Sequence, residues 1–150
     1  MDKSVNNNDI FKSIKESMGL KEINIVDYSP LTLAYIGDGI YEIVIRTMIV
    51  DEANRQVNKI HKAAADLVKA KTQSDMILSL YEDLTEDEAR VYKRGRNAKA
   101  ITRAQNASRG DYRRATGFEA VMGYLYLTEQ SERMMELIKK GLNNIKEDKE

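Results

Sequence analysis

Two strongly apolar stretches each carry an acid near their middle. In LTLAYIGDGIYEIVIRTMIV (31–50) it is Asp38, and in ATGFEAVMGYLYL (115–127) it is Glu119. A carboxylate inside a buried segment is costly unless something positive meets it. Two such acids, far apart in sequence and alike in setting, predict one shared partner, and a divalent cation is the simplest. With no Cys in the chain and a single His, the ligands would be carboxylates and the ion a hard one. Magnesium (Mg2+) suits this, because it takes few protein carboxylates, keeps waters and recruits phosphate oxygens. Gly37 and Gly39 flank Asp38. Each costs a helix roughly 1 kcal/mol against Ala and leaves room for a group to approach the carboxylate. Gly117 and Gly123 lie near Glu119, and Gly123, one turn on, would admit a closely packed helix. Simpler readings stand beside these: Glu42 as a salt-bridge partner of Arg46 four residues on, and Glu119 as a buried partner of Arg94 or Arg96.

Formal net charge is zero, so the chain as a whole is no polycation. Its charge is nevertheless uneven. From Arg90 to Arg114 the bases are Arg90, Lys93, Arg94, Arg96, Lys99, Arg103, Arg109, Arg113 and Arg114, against one acid, Asp111. A local basic stretch on a neutral chain is a directed patch. Arg94, Arg96, Asn97 and Lys99 surround Gly95, where exposed backbone and forked guanidiniums would hold a nucleic-acid backbone. Arg113 lies just before the Glu119 helix. The alternative is an ordinary solvated surface.

These residues need helices to carry them. Ala, Leu, Ile, Lys and Glu dominate, which favours helix, and the architecture expected is all-α, two central apolar helices wrapped by amphipathic ones. Residues 1–8 read as disordered and 9–19 as a short amphipathic helix. Ser29 and Pro30 form an N-cap and first helical position that launch the helix 31–50. Residues 54–71 have helical spacing. Thr72 with Asp75 resembles a capping box opening a helix over Met76, Ile77 and Leu80. Thr85 with Glu88 forms a capping box for a helix to about Arg94, which Gly95 is placed to end. Residues 95–111 read as a long polar loop, 112–128 as the second apolar helix, and Met134, Leu137, Ile138 and Leu142 as one face of a last helix. INIV (23–26) is the one candidate strand. Tyr35, Tyr41, Tyr124 and Tyr126 read as core.

Other chemistry finds little support. There is no G-x-S-x-G nucleophile motif, no phosphate-binding G-x-x-x-x-G-K-[ST] loop and no E-x-x-H pair of a di-iron bundle. The lone His61 reads as an ordinary helix residue. The polar N-terminus has no signal-peptide core. Asp38, Glu42 and Arg46 interrupt the one run long enough to span a bilayer, so no membrane is expected and the location is cytoplasmic.

The stretch LAYIGDGIYE resembles the signature helix of ribonuclease III catalytic domains, and GFEAVMGYLYL resembles their second catalytic helix. KRGRNAK and YRRATGFEA are similar to the mini-ribonuclease III branch, and the resemblance covers about residues 30–140. It implies a ribonuclease III endonuclease domain-like helical bundle over 30–145, after an N-terminal extension (1–29) that is partly disordered or a short helix. It also implies a homodimer that uses magnesium to cut double-stranded RNA. Asp38 and Glu119 match the family's catalytic and metal-binding acids, and Arg94, Arg96, Asn97, Lys99 and Arg113 are the RNA-binding candidates. Ala34 and Thr116 stand where the long enzymes carry Glu and Asp, leaving fewer ligands per metal. The branch points to maturation of the large-subunit (23S) ribosomal RNA precursor, with a ribosomal protein as a further expected partner. The alternative is a non-catalytic RNA-binding or ribosome-associated module of the same fold.

Overall fold

A computed structural model describes residues 10–52, 57–98 and 108–148. The helices are α1 (Ile10–Met18), α2 (Pro30–Glu52), α3 (Val57–Val68), α4 (Ala70–Leu80), α5 (Glu86–Asn97), α6 (Arg109–Leu127) and α7 (Ser131–Asp148). Short 3-10 turns cover Ile25–Asp27 and Tyr81–Asp83. The described residues contain no strand, so the all-α expectation holds. INIV instead leads into the 3-10 turn Ile25–Asp27, with the Asn24 side chain accepting from the Val26 N–H. No described helix is long and apolar enough to cross a membrane. The expected disorder of residues 1–8 lies outside the described residues.

Local signals explain most helix starts. The Ser29 hydroxyl accepts the Thr32 N–H at 3.1 Å, with Pro30 in the first helical position. Thr85 and Glu88 form the reciprocal capping box. Several expected boundaries are wrong. Thr72 caps nothing: α4 already starts at Ala70, and the Thr72 hydroxyl donates to the Asp66 carbonyl at 2.6 Å. Gly95 does not end α5, which runs on to Asn97. A Cβ at Gly95 would lie 2.8 Å from the Ala120 Cβ and 3.0 Å from the Gly117 Cα. Its lack of a side chain serves the α5–α6 contact, not a turn. Similarly, α6 starts at Arg109, three residues before the expected start, capped by Ser108 accepting the Asp111 N–H.

The core lies where α6 meets α2, α4 and α5, with α7 closing over α4 and α6. Tyr41 of α2 and Phe118 of α6 are fully buried and meet edge to face, ring centres 5.2 Å apart. Tyr35 corrects its expected place in the core: it is 83% exposed, because it points away from α6. The α2–α6 crossing is unusually close. A Cβ at Gly37 would lie 1.7 Å from the Glu119 carbonyl oxygen, and one at Gly123 would lie 2.0 Å from the Leu33 carbonyl oxygen. Backbone meets backbone at both points, which only glycine permits. This contact brings the two acid-bearing helices together.

Candidate active site

Gly37 seats α2 directly on the backbone of Glu119, so the next residue, Asp38, emerges beside the Glu119 side chain. The two side chains are within hydrogen-bonding contact. Their settings differ from expectation in one respect: Asp38 is exposed, while Glu119 is half-buried by residue. Asp38 lies on the outward side of α2, so its apolar neighbours in sequence are not its neighbours in space. Burial, then the nearby Asp38 carboxylate, pushes the Glu119 carboxyl up to about 9, against a smaller opposing effect of a Gln73 hydrogen bond. Two carboxyls this close cannot both ionise easily, so at neutral pH Glu119 keeps its proton. Burial, reinforced by Glu119, also pushes the Tyr41 hydroxyl above the ordinary tyrosine value.

Neither acid forms a salt bridge among the described residues. The reading of Glu119 as a partner of Arg94 or Arg96 therefore finds no support. Glu42 does approach Arg46, at 3.7 Å, a long and solvent-exposed pair. Ala34 and Thr116 are both buried, and the Thr116 hydroxyl donates to the Tyr112 carbonyl at 3.0 Å. Both positions pack and neither presents an acid. Accordingly, no group of three or more Asp, Glu, His or Cys gathers for a metal among the described residues.

Two carboxylates still fit a hard cation that keeps most of its own waters. Among the described residues no cationic side chain offsets the charge of the pair, and both donors are oxygens. Gln73 adds a third polar group, with Nε2 3.4 Å from the Glu119 Oε2. The sequence reading overlooked Gln73. Its signal was a polar residue on the apolar face of α4, in line with Met76, Ile77 and Leu80.

The basic candidates do not form one cluster. Arg94 lines a cleft with Ile25, Leu33, Arg90 and Tyr124. Arg96 lines a different one with Tyr81, Glu82 and Asp83, its guanidinium 5.5 Å from the Tyr92 ring centre and its Nε donating to the Asn97 Oδ1 at 3.3 Å. Residues two apart on a helix face different ways, and α5 continues through both. Gly95 between them is buried, so it offers no exposed backbone to a phosphate. Arg113 is exposed on α6. Lys99 lies outside the described residues.

The Ribonuclease III domain family matches residues 31–130, which include both acids and their helices. A mini-ribonuclease 3 from Clostridium tetani is 50% identical over 125 residues, covering 83% of this chain and 80% of that one. One from Enterococcus faecalis is 51% identical over 110 residues, covering 72% and 83%. A crystal structure of a Fusobacterium nucleatum protein has 30% identity and a TM-score of 0.74, covering 82% of this chain and 98% of that one. On this evidence the chain belongs to the ribonuclease III family, in its mini-ribonuclease 3 branch, and is an endoribonuclease.

Proposed function

We propose that the chain is a magnesium-dependent endonuclease of double-stranded RNA that matures the 23S ribosomal RNA precursor in the cytoplasm, with residues 30–145 as its catalytic domain. The observation that carries the reading is the meeting of Asp38 and Glu119, two acids from separate helices, without a neutralising base among the described residues. Their carboxylates hold the cation in place of the proton on Glu119. When bound, the ion lowers the pKa of water and stabilises charge on the phosphate and leaving oxygen. Asp38, being exposed, faces the RNA. Glu119, deeper, is fixed by the α2–α6 contact. Arg94, Arg96, Asn97, Lys99 and Arg113 supply backbone contacts, and the duplex is read by shape and 2′-hydroxyls. Because Arg94 and Arg96 line separate clefts, each contributes separately.

A homodimer fits the outward face of α2. Tyr35 and Ile43 are 83% and 60% exposed, apolar side chains on the helix that carries Asp38 and suited to burial against a partner beside the acids. A second copy covering it would set two acid pairs against one duplex, one for each strand. A ribosomal protein would engage some other face. The direct test is cleavage of a purified duplex RNA with and without magnesium, using Asp38→Asn and Glu119→Gln. Both variants should lose cleavage. Near-normal activity in either removes the assignment, and cleavage unaffected by chelator removes the metal.

A further inference from the structure

A neutral amide lies in the core beside the two acids. Gln73 is 2% exposed, and its Nε2 donates to the Val68 carbonyl at 2.7 Å. That contact fixes the amide's orientation, since an amide oxygen in its place would set acceptor against acceptor. The other arm, Oε1, is therefore the acceptor. Among the described residues it is the buried side-chain oxygen with no hydrogen-bond partner. Buried polar atoms are nearly always paired, so this one calls for a donor. Of the groups around the acids, the Tyr41 hydroxyl is committed to the Leu67 carbonyl at 2.8 Å, and once a cation displaces its proton Glu119 can only accept. The carbon bearing Oε1 also bears the nitrogen 3.4 Å from Glu119. Oε1 thus lies within reach of a single water bridging to that carboxylate. A water carried by a divalent cation is a strong donor suited to the position.

We propose that Gln73 is a positioning residue of the cation site: Nε2 holds the Glu119 carboxylate, while Oε1 accepts a hydrogen bond from a water carried by the ion. The proposal rests on Asp38 and Glu119 binding that ion. Groups that hold the ligands of a metal, without touching it, typically change affinity by about 10- to 100-fold when removed. The amide also explains why a glutamine is kept on an apolar helix face: only a group that both donates and accepts can serve Val68 and Glu119 on one arm and a water on the other.

The test is calorimetric titration with Mn2+, together with the rise in Tm that Mg2+ produces, on the wild type, Gln73→Met and Gln73→Glu. Met fills the same volume but offers no acceptor. Gln73→Met should bind Mn2+ about 10-fold or more weakly and lose most of the magnesium-induced rise. A residue that merely packed would lower the metal-free Tm and leave the affinity and the rise intact; that result overturns the proposal. Gln73→Glu keeps the acceptor toward the water but has one O–H where Nε2 makes two contacts, so the contact to Val68 or to Glu119 is lost. It should bind between the wild type and the roughly 10-fold loss of the Met variant, and binding more than about 10-fold weaker than the wild type overturns the proposal even if the Met variant does not fold. If the wild type binds no Mn2+, the two-carboxylate site itself is wrong and the role of Gln73 falls with it. If the wild type binds and Gln73→Met binds equally well, only the Gln73 proposal falls.

Discussion

Gly37→Ala should damage stability and activity together, although Ala is the better helix former. The new Cβ would sit 1.7 Å from the Glu119 carbonyl oxygen and 2.8 Å from the Gly123 nitrogen. An ordinary C···O approach is about 3.3 Å, so the helices must part by roughly 1.6 Å there. The obstacle is backbone on both sides, and no rotamer change relieves it. Overpacking of this kind costs about 3 kcal/mol or more, against a propensity gain of about 1 kcal/mol. A net loss of about 2–3 kcal/mol corresponds to a Tm lowered by roughly 4–12 °C for a chain of this size. The same displacement separates Asp38 from Glu119, and a shift of about 1 Å at reacting groups costs on the order of 100-fold in rate. Gly39→Ala, two residues on, meets nothing within 4 Å on this chain and within one protomer gains only the propensity. Thermal unfolding and a duplex-cleavage assay on both variants decide the matter. Gly37→Ala with unchanged Tm and full activity would refute the claim that backbone contact at Gly37 sets the acid pair.

The Glu88–Arg133 pair is a second target. The Glu88 side chain is 3% exposed and Arg133 24%, with Arg133 also held by Glu136 and the Asp83 carbonyl. Arg133→Ala leaves a buried carboxylate unpaired and should cost about 3 kcal/mol, read from urea denaturation; a loss under about 1 kcal/mol contradicts it. Burial raises the Glu88 carboxyl, but hydrogen bonds from Arg133 and Thr85 outweigh it and leave it below the ordinary value. Its stabilisation is therefore present above the unfolded-state pKa and lost as pH falls through the lower folded one. The Tm gap between wild type and Glu88→Gln should accordingly narrow in acid, and a gap that widens there is the wrong sign. The proposed homodimer should become a monomer by light scattering in Tyr35→Glu or Ile43→Glu, with the helical content unchanged. Arg94→Ala should weaken RNA binding and reduce the salt slope by about one unit; an unchanged slope removes Arg94 from the interface.

Much of the site was legible because its signals are local. An apolar helix with an acid between two glycines is visible in 20 residues, as are the Ser29–Pro30 start and the Thr85–Glu88 capping box. The likeness of both acid-bearing segments to one family added their pairing. Gln73 was not legible, because a lone glutamine on a helix says nothing until the carboxylate it faces is known. Gly95 misled for a related reason: glycine ends helices and also lets them touch, and which use applies depends on the neighbour.

By itself, then, the sequence determined the helical class, the starts of α2 and α5, and the two acids as candidates. Those follow from backbone propensity, capping and hydrophobic period, all of which act within a turn or two. Only the tertiary structure decided that Asp38 faces solvent while Glu119 sits deeper, that Arg94 and Arg96 line separate clefts, and that Tyr35 points outward. Each depends on how a helix is rotated about its axis when it packs. For α2 that rotation is dictated by Gly37 and Gly123, where two backbones lie too close for any side chain.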